Sequence, residues 1–558
     1  MAKAKKTAPK SSPKKPAAKK SAKPATRKVV KKAAPKKAAP EKVAPKKVVP
    51  KKVVPKKAAP KKAAPKKIAK AAPKVAPKVV KRPAPKIAKS PARKPVPKPV
   101  AKAAAKIARN THPAGVLDAN LLSDLLKWAK DFGADAADAL YVNGESISVA
   151  QRLGKREKLE SSEGRDLGLR VFVGKRQAFV SSTDFAPASL RELASRAVDM
   201  ARAVPEDPVC GLAPEELLAR SWPDLDLDDR TRPTAKKLIA MASEAEDAAR
   251  AVKGVTNSEG AEAGWGRTSV MLAASNGFSG GYRRSGFSLS CSVLGGEGTG
   301  MERDYEWTSA VHLEDLMSAA KVGRNAGKFV VRRLNPRKAQ SARVPVIYDR
   351  RVSGGLIGHL AGAINGRAVA RGTSFLKDKM GERVFAEGIR ILDNPLRKRG
   401  LGSRPFDAEG LATSRRAVID DGVLTTWLLD LAAARQLNLK PTGHASRGVS
   451  GPPSPTTSNF YLEKGRLSVK ELIGDIKSGL YITDMIGFGV NGVTGDYSRG
   501  ASGFWIENGE LAWPVSGITV AGNLKDMFLN MTAANDLEFK SSTNAPTVRI
   551  EGLTVAGS

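Results

Sequence analysis

Between residues 114 and 133 apolar side chains recur on a helical period, at Leu121, Leu122, Leu125, Leu126 and Trp128, with Gly133 as a stop signal. The stretches "ALYVNGESISVAQR" and "GRDLGLRVFVGKRQAFVSST" then read as strands, the second folding back as a hairpin at Gly174 and Lys175. "APASLRELASRAVDMARAV" returns to a helical period. This pattern predicts an N-terminal α/β domain over residues 111–204. Residues 205–232 read as a linker holding a short helix. A helix over 233–252, strands to about residue 308 and the helical "LEDLMSAAKVGRNAGKFVVRRL" predict a central α+β domain, 233–340. From "VPVIYDRR" onward the chain turns glycine-rich and β-patterned, in "RAVIDDGVLTTWLLD", "LYITDMIGFGV", "SGFWIENGELAWPV" and "GITVAGNL". Residues 341–558 are therefore expected to form a mostly β C-terminal domain, and the fold class is multidomain α+β.

Charge changes the picture at the N-terminus. Residues 1–110 hold 39 of the 96 basic residues and a single acid, Glu41, which leaves 57 basic against 53 acidic residues for the rest. A nearly neutral body thus carries a polycationic arm built on "APKKAAPEKVAPKKVVPKKVVPKKAAPKK". Lysine pairs repel one another and prolines remove backbone donors, so this Lys/Ala/Pro tail is expected to be disordered by itself. It has no aromatic residue to stack on bases. Any binding to DNA or RNA would be sequence-independent and salt-sensitive, and the competing reading is a solvated tail with no specific partner.

Cys210 and Cys291 are the only cysteines, which excludes a disulfide framework and a four-cysteine zinc site. No run approaches 18 apolar residues, so no transmembrane helix is expected, and the N-terminus lacks the apolar core of a secretory signal. A cytoplasmic protein is the expectation, with nucleoid association through the tail as a further possibility.

Three motifs invite chemistry and fail on context. Asp224, Asp226 and Asp228 begin like a calcium loop, but Asp229 stands where glycine and Ala235 where glutamate are needed. "GFSGG" from Gly277 to Gly281 matches a hydrolase elbow, yet strand patterns flank it on both sides and predict a hairpin turn. Gly487, Gly489 and Gly492 spell G-x-G-x-x-G without a following helix, so the dinucleotide reading is rejected.

At "GDYSRGASGFWIENGELAWPVSGITVAGNL" (495–524) the chain resembles the TldD/PmbA peptidase family, in its PmbA (TldE) branch. Further matching stretches are "GLRVFVGKRQAFVSSTDF", "RGTSFLKDKMGERVF", "ILDNPLRKRGLGSRPFDAEG" and "PPSPTTSNFYLEKG". The resemblance spans most of residues 130–558 and leaves the basic arm outside. It implies a cytoplasmic zinc metallopeptidase complex that cleaves unfolded or precursor peptides. In that complex a TldD subunit holds zinc on an H-E-x-x-x-H helix, and a PmbA/TldE subunit lacks the motif. Laid on "GGLIGHLAGAINGR" (354–367), the TldD-type helix sets Gly358 at its first histidine, His359 at its glutamate and Ala363 at its second histidine. Glycine and alanine offer no donor, and no cysteine follows Cys291 to replace the late cysteine ligand of the TldD branch.

The resemblance therefore implies no catalytic residue and no metal in this chain, with zinc held by a TldD-like partner in a heterodimer. Candidate substrate or interface residues are His359, Asn365, Arg367, Asn459, Asp496, Tyr497 and Arg499. His359 is open to three readings: a histidine bonded to backbone, a contact on the interface or peptide channel, or a ligand in a new metal arrangement. Arg499 could clamp a peptide carboxylate, pair with an acidic partner residue, or form a structural salt bridge. Peptide bound as an added strand would use backbone instead of particular side chains. The runner-up function is a nucleic-acid-associated scaffold, or a DNA gyrase modulator, without peptidase activity.

Overall fold

The computed structural model describes residues 115–557, with side chains from residue 120 onward. The basic tail, 1–110, lies outside the described residues. The chain opens with helix α1 (Gly115–Asp131), stopped by Gly133 at φ +100°. Strands β1 (Ala136–Arg152), β2 (Lys155–Val173) and β3 (Arg176–Ser182) follow, β2 and β3 turning at Gly174 and Lys175, and then helix α2 (Pro187–Ala203). Helix α3 (Ala235–Arg250), strands β4 (Val255–Ala274), β5 (Ser279–Gly295) and β6 (Glu302–Ala310), and helix α4 (Ala319–Arg332) complete this half. The "GFSGG" stretch is the β4–β5 hairpin turn. The short helix expected in 205–232 is a single 3-10 turn, Glu215–Leu217.

The segments 111–204 and 233–340 build one continuous antiparallel sheet, ordered β3-β2-β1-β4-β5-β6, joined where β1 runs against β4 from Asp138–Ala274 to Gln151–Ala261. Successive side chains on a strand point to opposite faces, so odd and even positions of β1 meet different neighbours. Ala137, Ala139 and Tyr141 pack under α1 and α2, while Ile147 and Val149, on the same face but further along, pack under α3 and α4. The even positions Leu140 and Val142 face the opposite way, onto Leu218, Phe406, Leu411 and Leu431. Helices thus cover one face of the sheet and the C-terminal half covers part of the other.

That half starts with β7 (Ala342–Tyr348), helix α5 (Arg350–Ala363) and the short α6 (Gly366–Ala370). A small sheet contains β8 (Ile391–Asp393), β9 (Arg416–Asp420) and β10 (Val423–Leu424). After α7 (Leu431–Gln436) come the two-stranded ladder of β11 (Ala445–Ser446) and β12 (Ser454–Pro455), then β13 (Phe460–Leu462) and α8 (Val469–Ile473). The long strands β14 (Ser478–Ile486), β15 (Asp496–Glu507) and β16 (Glu510–Asn523) precede α9 (Leu524–Leu529), β17 (Met531–Ala533), β18 (Thr543–Asn544) and β19 (Val548–Ala556). The main ladder runs β16-β15-β14-β7-β19-β17, and β19 also pairs with β16. Five strands therefore close into a barrel, which leaves no free edge along that ring. Its interior, including Val346, Leu480, Ile482, Ala501, Val520 and Val555, belongs to the largest apolar core, which α5 also joins.

Candidate functional site

Helix α5 carries two stripes at helical spacing. Ser353, Leu356, Ile357, Leu360 and Ala363 are buried against the barrel and the small sheet. Gly355, Gly358, His359 and Gly362 recur at the same i, i+3, i+4, i+7 interval on another side, with all three glycines exposed. Asp349 caps the helix, its carboxylate accepting from Arg351 N at 2.9 Å. The helix stops at Ile364, because Asn365 starts a new one. The Asn365 side chain accepts from Arg367 N at 3.0 Å, and Gly366 sits where a Cβ would lie 2.4 Å from Leu429.

The glycine–histidine stripe faces a cavity of about 360 Å³. Its other walls come from Thr373 and Phe375 after α6, from Gly487, Phe488, Val490 and Gly492 in the β14–β15 connection, from Arg499 on β15 and from Leu524. A Cβ added at Gly358 or Gly362 would meet nothing within 4 Å, and one at Gly355 would lie 3.9 Å from Arg499 Nη1. The connection bends at Gly487 and Gly495, both at positive φ (84° and 87°), and Gly492 O accepts from Phe375 N at 3.0 Å. At the mouth stands Phe488, 99% exposed, beside the exposed Ile486 and Val493.

Strand alternation places Tyr497, Arg499 and Ala501 on the inward face of β15. The Tyr497 ring meets the His359 ring edge to face, with centroids 6.0 Å apart. Two polar atoms here are buried without a hydrogen bond, His359 Nε2 and Arg499 Nε, while the Tyr497 phenol lies between the Tyr348 phenol and the Arg499 guanidinium and interacts with both. Burial, reinforced by the positive charge of Arg499, holds the His359 imidazole below its ordinary pKa, so it is neutral at pH 7. Burial likewise pushes the phenols of Tyr497 and Tyr348 up. Arg499 has no ion-pair partner among the described residues.

Of the sequence candidates, the structure brings Gly358, His359, Ala363 and Arg499 to the wall of this one cavity, with Tyr497 buried against the His359 ring. The other four are elsewhere, and their side chains are already engaged. Asn365 Nδ2 donates to Pro455 O at 2.8 Å. Arg367 pairs with the buried Asp430 at 2.8 Å and donates to Pro453 O. Asn459, 1% exposed, donates to Asn394 O and Ser403 Oγ, both at 2.7 Å, and accepts from Gly402 N at 2.8 Å. Asp496 is exposed and bonds Thr494 and Asn523. Sequence reading missed Thr373, Phe375, Phe488, Val490 and Leu524. The available signal is the glycine spacing at 487, 489 and 492, which is no nucleotide fingerprint but marks the connection whose Gly487 and Gly492 wall the cavity.

A structural zinc or catalytic zinc needs at least three nitrogen, sulfur or oxygen ligands from protein. Among the residues lining the cavity His359 alone is of the histidine, cysteine or carboxylate type that binds zinc, and Arg499 adds a positive charge, so this set does not fit the ion. Among the described residues no group of three or more His, Cys, Asp and Glu is placed to share a metal. A second histidine cluster is structural in character. His444 bonds Asp393 at 3.1 Å and Thr442 at 2.8 Å, Asp393 also accepts from Ser458 Oγ at 2.7 Å, and all four are buried. Among the described residues no helix is long and apolar enough to cross a membrane.

The sequence models of the three PmbA/TldA metallopeptidase domains match this chain in order: the first domain at residues 137–201, the central domain at 228–334 and the C-terminal domain at 341–557. The metalloprotease PmbA of Escherichia coli O157:H7 is 39% identical over 426 residues, covering 76% of this chain and 93% of that protein. Among solved structures, a Bacteroides thetaiotaomicron protein provisionally assigned as a modulator of DNA gyrase is 28% identical. It superposes with a TM-score of 0.73, over 79% of this chain and 98% of that one. TldE from Thermococcus kodakarensis, 19% identical, shares the fold with a TM-score of 0.69 over 78% of this chain and 100% of its own. From the β1–β4 sheet to the barrel that carries α5, the chain belongs to the PmbA/TldD metallopeptidase family, in its PmbA (TldE) branch.

Proposed function

We propose that this chain is the PmbA/TldE-type subunit of a heterodimeric zinc peptidase acting on unfolded or precursor peptides, and that it shapes the substrate cavity while a TldD-like chain holds the zinc. The observation that carries this reading is the cavity on α5, where Gly358 and Gly362 are bare and His359 is the one histidine, with no cysteine or carboxylate beside it. The family resemblance sets two zinc-ligand positions at Gly358 and Ala363, and neither residue has a donor. In the partner, zinc would activate water and polarise the scissile carbonyl. The exposed Phe488, Ile486 and Val493 at the cavity mouth suit an apolar contact with that second chain. A cytoplasmic location follows from the same reading.

The test is to purify this chain alone and together with a TldD-like subunit, then measure zinc content and cleavage of an unstructured peptide. Zinc and cleavage are expected only when the partner is present. Stoichiometric zinc with activity in the lone chain overturns the proposal.

A second reading, a nucleic-acid-associated scaffold or gyrase modulator, is favoured by the tail of 39 basic residues and by the assignment given to the Bacteroides relative. Deleting residues 1–110 should abolish retention on DNA at low salt if the tail is the binding element. Undiminished retention by the truncated chain refutes a DNA role for the tail.

A further inference from the structure

We infer that the α5 cavity is a receptor for a carboxylate attached to an apolar group, with Arg499 as the anion-binding residue and His359 as its second contact. The inference rests on the cavity being a peptide site only for the source of that carboxylate.

Arg499 and His359 both line the cavity. Arg499 Nε and His359 Nε2 are buried without a hydrogen bond, and the guanidinium otherwise meets only the Tyr497 phenol. A buried donor left unpaired costs about 1–3 kcal/mol, and a folded chain keeps such a group where a ligand completes it. No carboxylate lines the cavity, so the Arg499 charge is uncompensated. Guanidinium is the side chain suited to two parallel bonds to a carboxylate. The neutral imidazole of His359, protonated on Nε2, can donate one further bond without adding charge. One fixed positive charge matches a singly charged anion and leaves a phosphate dianion half-neutralised. Phe375, Val490 and Leu524 make the rest of the wall apolar, which suits a hydrocarbon side chain next to the anion. The bare Gly358 and Gly362 keep that space open. A peptide ending in an apolar residue has this chemistry, and so does a short free alkanoic acid.

Calorimetric titration of the full-length chain distinguishes the sources. It is run above physiological ionic strength, where the Debye length is below about 8 Å and the tail contributes least. The probes are N-acetyl-dileucine with a free carboxylate, the same compound as its amide, and hexanoate. The free acid should bind at least about tenfold more tightly than the amide, a difference of about 1.4 kcal/mol. Arg499→Gln should remove that preference, and Arg499→Lys should keep part of it as a point charge. Melting curves of both variants report folding. Equal binding of acid and amide, no saturable binding of either, or a preference that survives Arg499→Gln overturns the inference. Hexanoate binding as tightly as the peptide acid supports the carboxylate site and overturns its assignment to peptide. The lone chain suffices for every arm, so failure here is separable from failure of the zinc-partner reading.

Discussion

Helix α5 separates two cavities that are both walled by arginine, and they handle its charge in opposite ways. At the N-terminal end of the helix a cavity of about 270 Å³ lies against α4, β6 and β14. There Arg333 lies 3.3 Å from Glu302 and 3.5 Å from both Asp304 and Asp484, Arg351 pairs with Asp304 at 2.6 Å, and Lys540 pairs with Glu306 at 3.1 Å. Arg350 pairs with Glu538, and Arg332 lies over the Phe504 ring. Towards the other end of α5, Arg499 faces a cavity with no acid in its wall and a buried Nε left unbonded. Paired charges in the first cavity join the N-terminal sheet to the barrel. The charge in the second meets only the neutral Tyr497 phenol and no carboxylate, which leaves its positive charge available to an anion from outside the chain.

The same substitution should separate the two. Arg333→Met would strand Asp304, Glu302 and Asp484 around an apolar side chain. Breaking a buried pair in this way costs about 3–5 kcal/mol, and chemical denaturation should read a loss of that order. Arg499→Met, measured without ligand, should lie within about 1 kcal/mol of the parent or be more stable, since no charged partner is left uncompensated. A large loss at Arg499 would mean that its charge has a structural partner after all, and the contrast would collapse.

The outline of this architecture was legible in the chain because periodicity reports burial. The i, i+3, i+4 pattern of Leu121, Leu122, Leu125 and Leu126 gave α1, and the Gly174–Lys175 and "GFSGG" turns were visible between alternating strands. What periodicity does not report is which elements are neighbours. The pairing of β1 with β4 across the intervening segment, and the closing of β19 onto β16, depend on contacts far apart in sequence. The same limit applied to the site. His359, Tyr497 and Arg499 could be singled out by residue type, and so could Asn459 and Arg367, but only the fold shows that the latter two are consumed by Gly402, Ser403 and Asp430. Phe488 is an ordinary apolar residue in sequence, and its full exposure is set by two glycine bends.

The empty side of α5 gives a smaller effect. Gly358→Ala and Gly362→Ala place a methyl group in open space on a helix, so each should stabilise the chain by about 0.5–1 kcal/mol. Each should also weaken binding of the N-acetyl-dileucine acid by narrowing the cavity. A destabilised Gly362→Ala variant would show that the space is already filled in solution.

The smallest expected effect is a slope of stability with pH at His359. Its folded pKa lies below the ordinary 6.5, chiefly through burial and then through Arg499. Well above pH 6.5 the ring is neutral in both folded and unfolded chains and contributes no difference. As pH falls below that value the unfolded chain takes up the proton first, so stability declines until the folded ring also protonates. Comparing denaturation midpoints of the parent and His359→Gln across this range isolates that slope from the other titrating groups. In the variant the decline should be shallower, and parent and variant should keep a constant offset well above pH 6.5. Saturating the parent with the free-acid peptide should flatten the curve too, because a bound carboxylate offsets the Arg499 charge that disfavours imidazolium. Arg499→Met alone should produce only part of that flattening, since burial, the larger cause, would remain.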